Sequence, residues 1–427
     1  MNPRPMRSMN IRTLARWLFL LSVALEPASA TAQPFYFERG EIYSEALTNN
    51  LFGDSSTRPF EVFLPPDYYA TGKRYPVIYV LHGFTQNERS LAYLAPRLHF
   101  MICNRTANEM IAVFVNATNQ LNGSFYLSSP VIGDYETYIA RDLVNLIDSR
   151  YRTLPARESR GITGFSMGGW GAMHLALKFP AIFSVTVPEA GFYDSTSAWA
   201  DGAARELVGL DPTNLEQLAS INWPAAGFQA LFAGLLPDVN RGPLFTDYPY
   251  ETVNGQFVVV DSALQRCLNG DVQNGDLGRY LQQSNRLTGI CIVHGTGDPE
   301  VPVSEAEQFT NVLTAAGIPF EYVEHSGGHE YHPEFSLPFL SSHLQGGELY
   351  ILPPLLSIVN SNNMLQLTFP TQTGVTYRVE SSGCVGTPFT SWTEKGVLAG
   401  SGQPVSTNFS FPCESELFRV RAQNTAP

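Results

Sequence analysis

Residues 164–173 read GFSMGGWGAM, and this stretch decides the fold. Gly164-x-Ser166-x-Gly168 matches the G-x-S-x-G pattern, and it lies between an apolar segment, Gly161–Thr163, and a predicted helix, Gly168–Phe179. A serine on a sharp strand-to-helix turn presents its hydroxyl at the edge of a sheet, and glycine is favoured beside it because larger side chains would clash. The context predicts that Ser166 is a nucleophile rather than a small residue in a tight turn.

Short apolar segments alternate with helical stretches on both sides of this motif, from Phe60 to His343. Several segments are apolar throughout, which is typical of strands that are covered on both faces. The alternation predicts an α/β fold with a mostly parallel central sheet flanked by helices. Helices are predicted over Tyr135–Tyr151 and over Ser304–Ala316, the second opening with a Ser304–Glu307 capping box. The other predicted strands are Phe60–Leu64, Val77–Leu81, Met110–Val115, Ser184–Val187, Ile290–Val293 and Phe320–Val323.

The rest of the chain indicates a leader, an insertion and a second domain. Residues 1–32 combine an arginine-rich start, the apolar stretch WLFLLSVAL and the small-x-small pattern Ala30-Thr31-Ala32, as a signal peptide does. The protein is therefore expected to be secreted or periplasmic, without stable membrane insertion. Residues 33–346 are predicted to form the main domain, interrupted at about 194–287 by a cap of weak periodicity. Residues 347–427 show short strand patterns and predict a small all-β accessory domain.

Charge and cysteine content narrow the function classes. The 26 Lys and Arg residues against 39 Asp and Glu give a net charge of −13, which argues against nucleic-acid binding. The five cysteines follow no zinc spacing, and no metal or organic cofactor is expected. A disulfide between Cys384 and Cys413 is expected in an exported chain, while the pairing of Cys103, Cys267 and Cys291 stays open.

A serine nucleophile needs a base. His329 follows the last predicted strand, in the glycine-containing stretch HSGGHEYH (325–332), and is the preferred candidate. The chain order nucleophile, acid, histidine places the histidine late in this type of fold. His332 is the strongest alternative, ahead of His325 and His343.

The histidine in turn needs a carboxylate that orients its ring. Asp298 directly follows the predicted strand Ile290–Val293 and is the preferred candidate, with Glu300 as the alternative. Glu189 and Asp194, beyond another strand, are weaker candidates. The aspartates of the insertion are expected to be solvated: Asp201, Asp238, Asp247, Asp261, Asp271 and Asp276.

Two backbone N–H groups are expected to stabilise a developing oxyanion. One belongs to Met167, immediately after the serine, and the other to the His82-Gly83-Phe84 turn beyond a strand. Phe84 is preferred over Thr85 as this second donor. His82 is expected to shape the loop rather than to act as a base.

Four stretches together resemble the putative-esterase branch of the α/β-hydrolases, which includes esterase D type enzymes, feruloyl esterases and enterochelin esterases. The stretches are PVIYVLHGF, GDYETYIARDLVNLIDSRYRT, GFSMGGWGAMHLALKFP and HGTGDPEVPVSEAEQF. The resemblance covers residues 59–344 and implies a serine esterase. Trp170, next to the elbow, is the expected substrate contact.

The favoured hypothesis is a secreted serine carboxylesterase that forms an acyl-enzyme, acting on a small-molecule ester or on an ester linked to a polymer, such as a feruloylated polysaccharide. Acyl transfer or peptide hydrolysis on the same triad is the alternative within enzymes. A non-catalytic surface or glycan-binding protein on a hydrolase scaffold is the alternative outside them, and the C-terminal domain is where such glycan contact is expected.

Overall fold

The computed structural model of the chain describes residues 34–349, 357–361, 364–384, 393–410 and 416–424. The predicted leader, residues 1–32, lies outside them, as do Cys413 and the side chain of Cys384. The strands up to residue 349 are β1 Tyr36–Tyr43, β2 Thr57–Leu64, β3 Val77–Leu81, β4 Ile111–Val115, β5 Ser128–Ser129, β6 Gly133–Asp134, β7 Arg160–Phe165, β8 Val185–Glu189, β9 Tyr250–Val253, β10 Gln256–Val259, β11 Gly289–Gly295 and β12 Glu321–His325. The α-helices are α1 Leu94–Cys103, α2 Tyr135–Thr137, α3 Val144–Arg150, α4 Met167–Lys178, α5 Ala198–Leu210, α6 Leu215–Ala219, α7 Ala225–Leu235, α8 Asp261–Gly270, α9 Leu277–Tyr280, α10 Val303–Ala315 and α11 Pro333–His343.

An eight-stranded sheet organises the main domain, in the order β1-β2-β4-β3-β7-β8-β11-β12. Strands β1 and β2 pair antiparallel to each other, and β2 pairs antiparallel to β4, whereas all pairs from β4 to β12 are parallel. Alternate residues of β3 enter two different hydrophobic clusters, Tyr79 in one and Ile78 in the other. The sheet is therefore covered on both sides, and the predicted fold class is confirmed.

Two predicted helices show where local patterns succeed and fail. The predicted Tyr135–Tyr151 helix is found as α2, a π-helical segment Tyr138–Leu143, and α3. The predicted capping box is wrong, because α10 begins at Val303 and Pro302 is its N-cap, without a side-chain cap bond. Ser304 thus lies inside the first turn, where its hydroxyl cannot cap the helix.

The insertion at 194–287 is more regular than its weak periodicity predicted. It contains α5 to α9, a second π-helical segment Val272–Asp276, and the β9–β10 hairpin. Helix α7 is buried over nearly its whole length, so apolar residues occupy all of its faces and no amphipathic pattern marks it.

The C-terminal region is all-β in its described parts, as predicted. Its strands are β13 Ser357–Ser361, β14 Met364–Phe369, β15 Val375–Cys384, β16 Thr393–Ala399, β17 Val405–Ser410 and β18 Glu416–Asn424. Two three-stranded antiparallel sheets, β13-β14-β17 and β16-β15-β18, enclose a small cluster that includes Phe369, Tyr377 and Val379. Within the described ranges no helix has the length and apolar character to cross a membrane.

Candidate active site

Ser166 lies on a strained turn between β7 and α4. Its backbone has φ +58° and ψ −117°, a left-handed conformation that is costly for a residue with a side chain. Two bonds hold it there: the Ser166 N–H donates to the Glu189 carbonyl at 2.9 Å, and the Trp170 N–H donates to the Ser166 carbonyl at 3.0 Å. The turn is also tightly packed, since a Cβ on Gly168 would lie 2.1 Å from the Leu81 carbonyl oxygen. The predicted nucleophile elbow is therefore present.

His329 is within hydrogen-bond distance of Ser166. Its Nε2 lies 2.9 Å from the Ser166 Oγ, and its Nδ1 lies 2.7 Å from the Asp298 Oδ2. The Phe165 ring packs against the imidazole, with the two ring centroids 4.7 Å apart. With the Nδ1–H donated to the carboxylate, Nε2 is left as the acceptor for the serine proton, which is the tautomer that a general base needs.

Asp298 follows β11, and its buried side chain is fully hydrogen-bonded. Its Oδ1 accepts hydrogen bonds from the backbone N–H groups of Glu300 at 2.8 Å and Val301 at 2.9 Å. Its Oδ2 accepts the hydrogen bond from His329 Nδ1. Burial raises the pKa of Asp298, but the bonds from His329 and the two N–H groups outweigh it and lower the pKa below its ordinary value. The carboxylate is therefore ionised at neutral pH and can stabilise an imidazolium.

The side chains of the alternative histidines and acids make no hydrogen bond to the Ser166 hydroxyl, and the Glu189 carboxylate accepts the His332 N–H instead. The His332 ring bonds the Glu334 carboxylate, and the His325 ring packs on His332 at a centroid distance of 3.8 Å. His343, at the end of α11, bonds the Phe339 carbonyl. Glu300 is exposed, while Asp194 accepts bonds from Thr196.

The two predicted oxyanion donors belong to different elements. Met167 is the first residue of α4, where a helix has N–H groups without intrahelical acceptors. In the described part of the chain no acceptor bonds the Phe84 N–H, whereas the Thr85 N–H donates to the Asn122 carbonyl at 2.8 Å. Phe84 rather than Thr85 is thus free to donate to an oxyanion.

His82 supports this loop. Its Nε2 accepts the Ala117 N–H at 2.9 Å, and its Nδ1 lies 2.8 Å from the Gly83 carbonyl. Burial lowers the pKa of His82 to about 4, so the ring is neutral at neutral pH. These bonds agree with the predicted loop-shaping role.

Residues 55–344 match the family described as Putative esterase. The chain belongs to this esterase family. Its elbow, with an acid after a later strand and a histidine after the last strand of the sheet, is that of an α/β-hydrolase.

Comparison with individual proteins gives partial matches. An esterase of Mycobacterium tuberculosis is 31% identical over 290 residues, which cover 64% of this chain and 52% of that protein. The endo-1,4-beta-xylanase/feruloyl esterase of Xylanibacter ruminicola is 29% identical over 167 residues, or 36% of this chain and 23% of that protein. A solved ferulic acid esterase is 20% identical, and the match covers 73% of this chain and 98% of that one with a TM-score of 0.47. The chain spans about half the length of the mycobacterial esterases it matches.

In this esterase-family chain Trp170, the expected substrate contact, has its side chain buried in the core. The side chain is fully buried, stacked on His174 at 5.0 Å and edge-on to Phe125 at 5.8 Å. Trp170 lies one turn after the serine, on a helix face that packs into the core, so its position beside the elbow in sequence does not bring it to the reacting atoms.

A different aromatic set lies at the oxyanion loop. The Phe84 ring is 5.5 Å from Trp223, and Trp223 is 6.2 Å from Trp199; all three are partly buried. Both tryptophans come from the insertion and were visible in the sequence, but no periodicity there indicates which loop they meet.

Two aspartates of the insertion contradict the expectation that they are solvated. Asp271 and Asp276 are fully buried. Asp271 accepts bonds from Ser195 and from the backbone of Asn274, and Asp276 pairs with His174. The described residues hold no cluster of His, Cys, Asp and Glu that could bind a metal ion, and Cys103, Cys267 and Cys291 are free thiols.

Proposed function

We propose that this chain is a serine carboxylic ester hydrolase in which Ser166, His329 and Asp298 form the catalytic triad. The observation that carries the proposal is the continuous chain of contacts from Asp298 Oδ2 through the imidazole to Ser166 Oγ, at 2.7 Å and 2.9 Å. A base beside the hydroxyl and a carboxylate behind the base are what nucleophilic catalysis by serine requires.

The proposed reaction proceeds through an acyl-enzyme. Ser166 Oγ attacks the ester carbonyl while His329 Nε2 takes its proton, and the N–H groups of Phe84 and Met167 stabilise the oxyanion. The tetrahedral intermediate collapses, His329 returns the proton to the departing alcohol, and the acyl group stays on Ser166. A water molecule, deprotonated by His329, then attacks the acyl-enzyme. As the bond from the acyl group to Ser166 Oγ breaks, His329 returns the proton to Oγ and the acid is released. Preorganised oxyanion donors contribute on the order of 10²- to 10³-fold each to such reactions.

The aromatic set supports a bulky or aromatic acyl group. Phe84 carries the proposed oxyanion donor, and its ring faces Trp223, so an acyl chain on Ser166 would lie near both rings. Gly123 packs directly against this loop, because a Cβ there would lie 2.5 Å from the Met167 sulfur and 2.9 Å from the Phe84 ring. Together with the name of the Xylanibacter relative, this favours hydroxycinnamoyl esters of plant polysaccharide as substrates.

Export is part of the same proposal. The arginine-rich start, the apolar stretch and the Ala30-Thr31-Ala32 pattern support a cleaved leader and a secreted or periplasmic enzyme. Sequencing the N-terminus of the mature protein from culture medium and periplasm tests this point.

The C-terminal β region is proposed to contact glycan or surface polymer. Retention on insoluble xylan with and without residues 347–427 tests this contact.

The test of the proposed function compares the wild-type protein with Ser166→Ala on p-nitrophenyl acetate, p-nitrophenyl butyrate and methyl ferulate. The variant is expected to lose turnover and fluorophosphonate labelling while it keeps its circular dichroism spectrum. Unchanged turnover in Ser166→Ala would contradict the assignment, and so would labelling of the wild type without hydrolysis of any ester.

A further inference from the structure

Glu189 connects the two loops that carry the nucleophile and the base. It is the last residue of β8 and is 1% exposed. Its carbonyl accepts the Ser166 N–H at 2.9 Å, and its carboxylate Oε2 accepts the His332 N–H at 2.6 Å. His332 comes three residues after His329 and is the N-cap of α11. One buried residue therefore holds the elbow with its main chain and the histidine loop with its side chain.

Burial of the Glu189 carboxyl group lowers the stability of the folded protein. Its second oxygen, Oε1, has no hydrogen-bond partner within the described part of the chain. Burial raises the pKa of Glu189 to about 7, even though the His332 N–H bond and the nearby Ser336 hydroxyl oppose the rise. A buried carboxyl with one oxygen unpaired destabilises the folded protein relative to an apolar side chain of similar size, so packing alone gives no reason for a glutamate here.

We propose that Glu189 is a positioning residue that sets the separation between Ser166 Oγ and His329 Nε2 by tethering the loop after His329 to the strand behind Ser166. The inference rests on the proposed ester hydrolysis, in which that separation controls proton transfer. The ionised carboxylate makes the stronger, charge-assisted bond to the His332 N–H. The carboxylate also lies at the N-terminus of α11, an eleven-residue helix, where negative charge is favoured.

This arrangement makes the attack by Ser166 depend on the ionisation of Glu189. As the pH falls through about 7, Glu189 takes up a proton and its bond to His332 weakens, so activity is lost on the acid side. The charged or titratable groups that face Glu189 are His332 and Glu334 on the α11 side, Tyr331 before that helix, Tyr93 before α1, Tyr193 after β8 and Cys291 on β11. Burial raises the pKa of all three tyrosines and of the thiol, so these four stay neutral over this range.

The experiment measures the second-order rate of Ser166 labelling by a fluorophosphonate from about pH 5 to about pH 9. Glu189→Leu removes the acceptor and should slow labelling about 100-fold, as expected when a reacting group is displaced by about 1 Å. Glu189→Gln keeps an acceptor oxygen but not the negative charge, so at alkaline pH it should label at a rate between those of wild type and Glu189→Leu. Its acid limb should lack the titration of Glu189. The matched control is Glu334→Gln, an exposed carboxylate in the first turn of α11, which should label within about twofold of wild type.

Two results would overturn the inference: folded Glu189→Leu that labels as fast as wild type, or Glu189→Gln with the wild-type pH profile. Should Glu189→Leu fail to fold, the pH profile of Glu189→Gln decides. Because labelling needs no ester substrate, a wild type that labels but hydrolyses no ester contradicts the proposed function and leaves the positioning role supported.

Discussion

A buried cation is expected to stabilise this fold, and its removal can be tested quantitatively. His174 of α4 is 1% exposed, and its ring lies between the Asp276 carboxylate, 2.5 Å from Nδ1, and the Glu136 carboxylate, 3.1 Å from Nε2. Lys178 contacts Glu136 at 2.6 Å, and Arg279 contacts Asp276 at 2.8 Å. Burial alone lowers the pKa of His174, but the two carboxylates outweigh it and raise the pKa to about 9. The imidazolium therefore links the elbow helix to α2 and to the insertion.

The stability that protonated His174 contributes, and its dependence on pH, follow from the raised pKa of His174. The rise from 6.5 to about 9 corresponds to about 3 kcal/mol of stability, at about 1.4 kcal/mol per pKa unit. Because the folded pKa lies above the unfolded one, this contribution is complete below about pH 6.5 and is lost as the pH rises through about 9. His174→Gln leaves two carboxylates buried without the cation and should cost about 3–5 kcal/mol at pH 6. The difference from wild type should shrink by about 3 kcal/mol at pH 10.

Urea unfolding followed by tryptophan fluorescence measures this difference, since Trp170 stacks on His174. The matched control is His99→Gln. His99 packs against Phe35 and Phe63, makes no ion pair with the described residues, and has a pKa that burial lowers, so its replacement should not remove the alkaline loss of stability. A free-energy difference between wild type and His174→Gln that stays the same from about pH 6 to about pH 10 would refute the reasoning.

Three further predictions follow from the site and its surroundings. Asp298→Asn should lower kcat on p-nitrophenyl acetate about 10⁴-fold with little change in KM, because the imidazole loses its orienting charge; a fall of less than about tenfold would contradict this. Gly168→Ala should abolish soluble expression, since its Cβ would lie 2.1 Å from the Leu81 carbonyl oxygen, whereas Gly202→Ala, in α5 with open space around it, should fold normally. Trp223→Ala should reduce kcat/KM for methyl ferulate by about tenfold or more and leave acetyl ester hydrolysis nearly unchanged, and an equal loss on both substrates would count against an aromatic acyl site.

The parts of the fold that the sequence predicts are those in which local pattern and tertiary environment agree. Strands β3, β4 and β11 are buried on both faces and read as continuous apolar segments, so their alternation with helices identifies the parallel sheet. The start of α10 was misplaced because Ser304 and Glu307 match a capping pattern, yet the chain is already helical at Val303. Pro302 therefore marks the start of α10 better than the Ser304–Glu307 pattern does.

Some residues of the candidate site can be predicted from their position after a strand, whereas others depend on contacts between residues that are far apart in the sequence. Ser166, Asp298 and His329 each follow a strand of the sheet, and parallel strands bring their carboxyl ends to one edge, so the proposed triad follows from topology. The sequence favours Phe84 over Thr85 as the second donor, but the reason is visible only in the structure, where the Thr85 N–H donates to the Asn122 carbonyl and no local pattern relates these two residues.

The contacts of the insertion could not be predicted from the sequence, because they join residues that are far apart in the chain. Asp276 was expected to be solvated because an isolated aspartate in a polar stretch is best hydrated; its burial depends on His174, which lies 102 positions earlier. Trp223 likewise meets Phe84 across the interior of the fold. Such pairs form only after the insertion packs on the sheet, so neither helical nor strand periodicity encodes them. In the proposed function the reaction chemistry is carried by motifs at strand ends, whereas acyl-group selection depends on contacts with the insertion. A relative with the same three residues and a different insertion should therefore share the proposed reaction but not the substrate.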